Sequence, residues 1–251
     1  MIYTVTLNPA LDKTVQIPSF RLGEVNRISA MRTDPGGKGI NVSKVLRELG
    51  EPSVAAAILG GAAGQKIESA LRALGIEGMY LFTGHETRTN LKIVDPTLHT
   101  NTDVNEPGAP ADEAVLSKLL TQLTGRLHPG DLVVLSGKAP AGAPDTLYRD
   151  WILACRAAGA AVYLDAEGEL LRQGVTAGPA LIKPNQAELS GVMGRPLTTE
   201  DETIRAAQEL LAQGVGCVAV TMGAGGALLC WTDCVLRCES PVSYTHLTLP
   251  T

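Results

Sequence analysis

The stretch Pro35-Gly36-Gly37-Lys38-Gly39-Ile40-Asn41 comes immediately before the first strongly amphipathic helical pattern of the chain. That pattern ends at Gly50, a typical helix stop, and its apolar face consists of Val42, Val45, Leu46 and Leu49. Glycines at a helix start let the backbone come close to a ligand, and the unpaired N–H groups there favour an anion. With the positive charge of Lys38, the stretch predicts a site for a phosphorylated or otherwise anionic small molecule. A plain glycine-rich connection is the alternative.

The composition is that of a globular enzyme. The 251 residues are enough for one large α/β domain, and 45% are hydrophobic while 19% are charged. A net charge of -5 argues against nucleic acid as the main partner. No apolar run approaches the roughly 20 residues of a membrane helix, and the first residues lack the features of a signal peptide. We therefore expect a cytoplasmic protein that binds neither membranes nor nucleic acids.

Short apolar segments alternate with helical patterns along most of the chain. Strands are predicted at residues 2–7, 53–59, 76–82, 132–136, 161–165, 180–183 and 217–221. Helices are predicted at residues 65–74, 111–127, 143–158 and 186–192, and a capping pattern Thr199-x-x-Glu202 opens one that runs to residue 212. Because the strands are continuously apolar, we expect an α/β fold whose mainly parallel sheet is covered by helices on both faces.

Four polar stretches with strand-like alternation interrupt this order, at residues 14–20, 27–33, 89–94 and 100–104. The last two flank Asp95-Pro96 and predict a hairpin. Together the four predict a small exposed β-sheet lid, inserted in two pieces within about residues 12–34 and 88–105.

Cysteine spacing raises the question of a metal site, because Cys230, Cys234 and Cys238 are four residues apart. The segment has no Cys-x-x-Cys pair and no histidine before His246. It reads as a strand, on which all three would share one face. We therefore expect buried or half-buried free thiols rather than metal ligands.

Five segments resemble the ribokinase-like carbohydrate kinases of the phosphofructokinase-B type. They are Thr6-Leu7-Asn8-Pro9-Ala10-Leu11-Asp12, residues 35–42 with the stretch quoted above, Glu86-Thr87-Arg88-Thr89-Asn90, Lys183-Pro184-Asn185-Gln186-Ala187-Glu188-Leu189 and Thr221-Met222-Gly223-Ala224-Gly225-Gly226-Ala227. The nearest branch comprises bacterial 1-phosphofructokinases and tagatose-6-phosphate kinases. The resemblance covers residues 1–240 and implies a three-layer α/β/α sandwich with a β lid. It also implies ATP-dependent phosphorylation of fructose 1-phosphate, with tagatose 6-phosphate as the alternative substrate.

The resemblance assigns substrate contacts to the N-terminal part of the chain. Asp12 matches an aspartate that hydrogen-bonds sugar hydroxyls, and the loop residues that hold the substrate are Gly37, Lys38 and Asn41. Arg27 and Arg88 match lid arginines that grip the phosphate already on the sugar, and Asn90 belongs to the same motif as Arg88. Arginine suits this role because its planar fork matches phosphate oxygens, although a solvated surface charge is the alternative for each.

One position departs from the family pattern. The family usually carries Ser-Gly-Ser after the central strand, and its second serine can contact the substrate phosphate. This chain has Ser136-Gly137-Lys138. Lys138 either serves the phosphate as a point charge or points to solvent.

Nucleotide contacts are assigned to the C-terminal part. Asn185 and Glu188 match a pair that organises Mg²⁺ and its waters near ATP, with Glu188 acting through water. Lys183, Thr221, Gly223 and Gly226 complete the predicted ATP site. The alternatives are a helix cap with a surface glutamate for the first pair, and a strand-to-strand turn for the glycines.

The family also carries a Gly-Ala-Gly-Asp segment, which provides an anion hole and the catalytic base. This segment does not occur in the 251 residues, and residues 241–251 do not resemble family sequence. We therefore expect a kinase domain at residues 1–240, a foreign tail and little activity. A non-catalytic binding protein is the alternative of another class, and a nicotinamide-dependent enzyme is disfavoured because no Gly-x-Gly-x-x-Gly follows the first strand. Relatives further imply a homodimer formed through the lid.

Overall fold

A computed structural model describes residues 1–110 and 112–239. Its strands are β1 (Ile2–Thr6), β2 (Ala10–Gln16), β3 (Ala30–Gly36), β4 (Ser53–Gly60), β5 (Glu77–Thr83), β6 (Thr89–Asp95), β7 (Thr100–Asn105), β8 (Leu132–Ser136), β9 (Ala161–Asp165), β10 (Leu181–Ile182), β11 (Val218–Thr221), β12 (Ala227–Cys230) and β13 (Val235–Cys238). Its helices are α1 (Lys38–Glu48), α2 (Gly61–Ala73), α3 (Glu113–Thr124), α4 (Leu147–Ala157), α5 (Gly168–Val175), α6 (Gln186–Met193) and α7 (Glu200–Ala212). Tail residues 241–251 lie outside the described part.

The chain divides into two compact units. The first unit comprises Met1–Val5, Leu120–Lys138 and the residues from Ala143 onward, and the second comprises Thr6–Leu119 and Ala139–Gly142. No helix within residues 1–110 and 112–239 is both long and apolar enough to span a bilayer.

The first unit is built on a mostly parallel sheet. Its strands lie in the order β13-β12-β11-β10-β9-β8-β1, and β1 and β8 to β11 run parallel. The edge strands β12 and β13 run antiparallel to their neighbours. Fully buried side chains of the central strands, such as Leu135, Leu164 and Ile182, form the core with those of the helices, such as Ile152. Burial on this scale is the main stabilising contribution.

The second unit contains a four-stranded sheet of order β3-β2-β6-β7 and the parallel pair β4–β5. Within the four-stranded sheet, β2 pairs with β3 in the antiparallel and with β6 in the parallel sense, while β6 and β7 form a hairpin. Helix α2 packs on β4 and β5 through Ile67 and Leu71, both fully buried. A small cluster of Val15, Ile17 and Ile93 lies on one face of the four-stranded sheet.

Buried Asp95 fixes the segment that follows β2. Its carboxylate accepts hydrogen bonds from the backbone N–H groups of Ser19, Phe20, Thr97 and Leu98 at 2.7–3.1 Å. Burial acts to raise the pKa of this carboxyl, but the four donors prevail and lower it. The residue therefore joins the β6–β7 turn to the chain after β2.

Several predicted elements are confirmed. Helix α7 begins after Thr199 with the predicted capping box, and the β6–β7 hairpin turns at the predicted place. The α/β fold with a mainly parallel sheet and a second, smaller sheet is confirmed as well.

Other elements differ from the sequence predictions. Strands β2 and β3 occupy residues 10–16 and 30–36 instead of 14–20 and 27–33, because their ladder continues through Pro35 and Gly36 to pair with Leu11 and Ala10. Helix α5 was not predicted, although Leu171 and Val175 are spaced one turn apart and buried. The cysteine prediction was wrong in part. All three cysteines are free thiols and Cys230 is buried as expected, but a turn after Cys230 separates it from Cys234 and Cys238, which are exposed.

Candidate active site

One face of the four-stranded sheet is polar, and the pairing register arranges its side chains in two rows. Side chains alternate between faces along a strand, so residues in register share a face. The first row runs across β3, β2, β6 and β7 and consists of Asp34, Asp12, Asn90 and Asn105. The second row, two residues along each strand, consists of Arg32, Thr14, Lys92 and Asp103. These rows form the floor of a recess of about 400 Å³.

Asp12 and Asn90 hold each other at the centre of the first row. The Asn90 side-chain amide donates to Oδ1 of Asp12 at 2.9 Å. Gly36 lies against the same carboxylate, because a Cβ atom at this glycine would be 2.0 Å from Oδ2 of Asp12. The glycine therefore lets the backbone pass close beside the aspartate. A carboxylate and an amide in such a position are suited to receive and donate hydrogen bonds to sugar hydroxyls.

The glycine stretch that predicted an anion site forms the start of α1. Gly37 is the residue before the helix, with a φ of 119°, and a Cβ there would lie 2.6 Å from Cγ2 of Thr6. The hydroxyl of Thr6 accepts a hydrogen bond from the N–H of Ile40 at 2.9 Å. Lys38 and Asn41, the other loop residues of the prediction, lie at the helix start and are exposed. Glycine is needed at position 37 for both the backbone angle and the space.

Arg88 makes more backbone contacts than a surface charge would. Its guanidinium donates to the carbonyl oxygens of Asn8, Pro9 and Glu106 at 3.1–3.3 Å, and a longer contact of 3.5 Å reaches Oδ1 of Asn90. Burial lowers the pKa of this guanidinium, while the carboxylates of Asp12 and Glu106 oppose that effect. Arg88 thus fixes the segment before β2 and also contacts the side-chain oxygen of Asn90.

Arg27 lies in the loop before β3, so its predicted position on a strand was wrong. It is exposed, and within residues 1–110 and 112–239 its side chain has no hydrogen-bond or ion-pair partner. The structure does not bring it to the recess with Asp12.

The remaining predicted residues belong to the first unit, where they lie at the ends of parallel strands. After β10, Nζ of Lys183 is 3.3 Å from Oδ1 of Asp165, and the buried hydroxyl of Ser136 donates to the other oxygen of Asp165 at 3.1 Å. Lys138, after β8, forms an ion pair of 3.0 Å with Glu167. The lysine that departs from the family pattern is therefore engaged by a carboxylate. Asp165, the last residue of β9, was assigned no role from the sequence.

Asn185 and Glu188 form a capping box at the start of α6. Oδ1 of Asn185 accepts from the N–H of Glu188, and Oε2 of Glu188 accepts from the N–H of Asn185, both at 2.8 Å. This is the helix-cap alternative considered from sequence. The box uses one carboxylate oxygen of Glu188 and leaves Oε1 outside it.

The glycine-rich segment after β11 is a tight connection to β12. Thr221 bridges to Asn185 in the parallel sense, and a 3₁₀ turn over Gly223–Gly225 follows. The N–H groups of Met222, Gly225 and Gly226 donate within this turn, which leaves those of Gly223 and Ala224 outside its hydrogen bonds. Gly223 and Gly226 have φ of 57° and 87°, so both positions favour glycine for backbone reasons alone.

The family is established by comparison with known proteins. Residues 5–243 match the model of the pfkB family carbohydrate kinases. The chain belongs to this family. It is 42% identical over 229 residues to the 1-phosphofructokinase of Rhodobacter capsulatus, an alignment that covers 91% of this chain and 72% of the relative. The 1-phosphofructokinase of Bacillus subtilis is 35% identical, with 96% of this chain and 78% of the relative covered.

Solved structures of pfkB kinases have the same fold. Phosphofructokinase-2 from Escherichia coli, crystallised with fructose-6-phosphate, superposes with a TM-score of 0.92 at 31% identity and covers 98% of this chain and 82% of its own. A possible 1-phosphofructokinase from Thermotoga maritima gives 0.81 at 30% identity, with coverages of 94% and 76%. The resemblance and the ribokinase-like fold inferred from sequence are therefore confirmed. The protein is a carbohydrate kinase, a class that uses ATP as co-substrate.

Proposed function

We propose that this kinase transfers the terminal phosphoryl group of ATP to a hydroxyl of fructose 1-phosphate, giving fructose 1,6-bisphosphate and ADP. The observation that carries the proposal is the polar recess around Asp12 and Asn90, in a chain 42% identical to a 1-phosphofructokinase. The recess has the hydrogen-bonding groups that a sugar requires and the cations that a phosphate requires.

In this proposal the second unit binds the sugar phosphate. Asp12 accepts hydrogen bonds from sugar hydroxyls, and Asn90 holds the Asp12 carboxylate in position. The exposed start of α1, with Gly37, Lys38 and Asn41, offers N–H groups and a positive charge to an anionic substrate. Arg27 has the free guanidinium required of a phosphate ligand, whereas Arg88 acts mainly on the backbone.

The first unit binds the nucleotide in the same proposal. Lys183, held by Asp165, provides a cation for ATP phosphates. The turn from Thr221 to Gly226 provides the N–H groups of Gly223 and Ala224, which do not donate within the turn. For Lys138, the ion pair with Glu167 must open before the ammonium contacts a phosphate. The role of this lysine in substrate binding therefore stays a prediction.

The donor set at α6 suits a hydrated Mg²⁺ ion. Oxygen ligands are what this hard cation prefers, and it usually keeps several of its waters. Oε1 of Glu188 is available to a metal-bound water, while Oε2 remains in the capping box. Such an ion would neutralise charge on the ATP phosphates, and Glu188 would orient it through water.

Titration and turnover measured separately test the proposal. Calorimetric titration of the 251-residue protein should show fructose 1-phosphate binding more tightly than tagatose 6-phosphate or fructose 6-phosphate. ADP formation is then followed with Mg²⁺, ATP and each sugar phosphate. Preference for another sugar phosphate would overturn the substrate assignment. Binding without turnover would favour the alternative of a protein that only binds sugar phosphates.

We also propose a homodimer formed through the four-stranded sheet. The loop before β3 exposes the apolar side chains of Leu22, Val25 and Ile28, and Met31 at the start of β3 is exposed as well. Contiguous exposed apolar residues favour association. The E. coli phosphofructokinase-2 has a tetrameric inhibited form, so analytical ultracentrifugation should distinguish a dimer from a tetramer. A Val25→Glu variant that sediments like the wild-type protein would contradict this interface. The cytoplasmic location stays a prediction.

A further inference from the structure

Acidic and basic residues both line the recess on the polar face of the four-stranded sheet. Its acidic residues are Asp12, Asp34 and Asp103, and its basic residues are Lys13, Arg32, Lys44 and Lys92. Arg32 lies 2.6 Å from Asp34, and Lys92 lies 3.8 Å from Asp103, so these cations are compensated by carboxylates. Lys13 and Lys44, the other two basic residues of the recess, form no such ion pair among the described residues.

Strand geometry separates these two lysines. Lys13 follows Asp12 on β2, so its side chain leaves the strand on the opposite face, together with Leu11 and Val15. Lys44 instead comes from α1, at the β3 side of the recess. Arg32 and Lys92 pair with carboxylates, and Lys13 leaves β2 on the other face. Among the described residues that line the recess, Lys44 is therefore the one cation to which neither applies.

The position of Lys44 is set by the backbone. Its Nζ donates to the carbonyl oxygen of Pro35 at 3.3 Å, in a half-buried position. An ammonium has three donors, and this bond uses one of them. Lys44 also follows Asn41 by three residues, so the two lie on the same side of α1. The ammonium is thus held beside the recess with hydrogen-bonding capacity left over.

We propose that Lys44 is a substrate-binding residue that holds the phosphate already present on the sugar. The inference rests on the proposed function, since it assumes that a sugar phosphate occupies this recess. Three N–H groups of the Arg88 guanidinium donate to carbonyl oxygens, and Arg27 does not line the recess. Among the described residues, Lys44 is therefore the cation that the recess offers to this phosphate without an ion pair. A lysine serves a phosphate as a compact point charge. Lys44 therefore favours phosphorylated sugars over free ones.

The test compares Lys44→Met with Lys66→Met, an exposed lysine of α2 that does not line the recess. Calorimetric titration with fructose 1-phosphate should show binding about 10- to 100-fold weaker for Lys44→Met, as expected for loss of a hydrogen bond to a charged group. Lys66→Met should bind like the wild-type protein. Inorganic phosphate, used as a competitor, should lose its ability to displace the sugar phosphate in Lys44→Met only.

Two further variants keep the result interpretable. Lys44→Arg should restore most of the affinity because it keeps the charge, and Lys44→Gln replaces Lys44→Met if the latter does not fold, as judged by circular dichroism. Wild-type affinity in a folded Lys44→Met or Lys44→Gln protein would overturn the role of Lys44 alone. A wild-type protein that binds no fructose 1-phosphate would overturn the proposed function, and this inference with it.

Discussion

The two units use the residues that the sequence singled out in different ways. In the second unit, Asp12 and Asn90 bond to each other across neighbouring strands and face a recess of about 400 Å³. In the first unit, Asn185 and Glu188 cap α6, and the glycines after β11 make a turn. The residues of the second unit line a recess, whereas those of the first unit already form a helix cap and a turn.

The difference teaches that a ligand motif and a structural motif are not exclusive. A capping box satisfies backbone donors at a helix start, and it leaves one carboxylate oxygen outside. The same two hydrogen bonds therefore serve folding whether or not a nucleotide binds. A row of polar side chains across a sheet satisfies no backbone donor, so the recess is the stronger sign of a binding site.

The largest effect is expected from removing the charge at the centre of the recess. Asp12→Asn keeps an acceptor for Asn90 but loses the carboxylate that would accept sugar hydroxyls. Calorimetry should show fructose 1-phosphate binding about 10- to 100-fold weaker, since hydrogen bonds to charged groups contribute about 1.5–3 kcal/mol. Asp201→Asn, at an exposed position of α7 that does not line the recess, serves as the control and should change affinity less than about twofold. Equal losses in both variants would contradict a specific role for Asp12.

A second experiment acts on the same carboxylate from the backbone side. In Gly36→Ala the new methyl group must displace the Asp12 carboxylate, which is free to rotate but then loses its bond to Asn90. We expect about tenfold weaker sugar-phosphate binding with a stability loss of only about 1 kcal/mol, the typical contribution of one hydrogen bond.

Gly191→Ala in α6 is the control for Gly36→Ala, because a Cβ there meets open space. It should raise the free energy of unfolding by about 0.5–1 kcal/mol without changing affinity. Urea unfolding measures both stabilities. Gly36→Ala with unchanged affinity would show that Asp12 tolerates displacement.

The two capping boxes allow a test of the first unit. Glu188→Gln and Glu202→Gln both preserve a capping box, since glutamine also reaches the N-cap N–H. Only Glu188 is proposed to act on Mg²⁺. We expect Glu188→Gln to weaken Mg²⁺-dependent ATP binding about tenfold, as loss of an outer-sphere ligand does, and Glu202→Gln to leave it unchanged. If both variants bind Mg²⁺-ATP like the wild-type protein, Glu188 is a helix cap only.

The smallest effect concerns folding rather than binding. Because the folded-state pKa of Asp95 is lowered, its contribution to stability is present above about pH 4, the usual pKa of aspartate, and is lost as the pH falls through the folded value. Asp95→Asn should therefore be less stable than the wild-type protein at pH 7 and lose less stability on acidification. Urea unfolding at pH 7 and pH 3 measures this. A parallel pH dependence in the two proteins would show that Asp95 is not the group responsible.

Much of the fold could be predicted because its signals are local. The capping box of α7 and the hairpin at Asp95-Pro96 depend on neighbouring residues, and both were found where expected. The ends of β2 and β3 were not predicted correctly. Proline and glycine at positions 35 and 36 are unfavourable in a strand, and only the pairing with β2 shows that β3 extends through them. Helix α5 was missed although it is as long as α6, and unlike α6 it has no side-chain cap to mark its start.

The site shows the same division. Asp12 and Asn90 were proposed from motifs, but the bond between them depends on the parallel register of β2 and β6, which no local pattern contains. Lys44 was not singled out, although its spacing of three from Asn41 was visible. What placed it is the carbonyl of Pro35, a contact between a helix and the strand before it.

The closeness of Gly36 to Asp12 has a consequence for how such a chain can change over generations. A side chain at position 36 and a carboxylate at position 12 compete for the same space, since a Cβ would lie 2.0 Å from Oδ2. Substitutions at the two positions should therefore not be independent. A sequence that has already lost the aspartate at position 12 can accept a larger residue at position 36. If the glycine is replaced first, the aspartate is displaced and its function is lost. In a kinase that keeps Asp12, glycine at 36 is inherited with it.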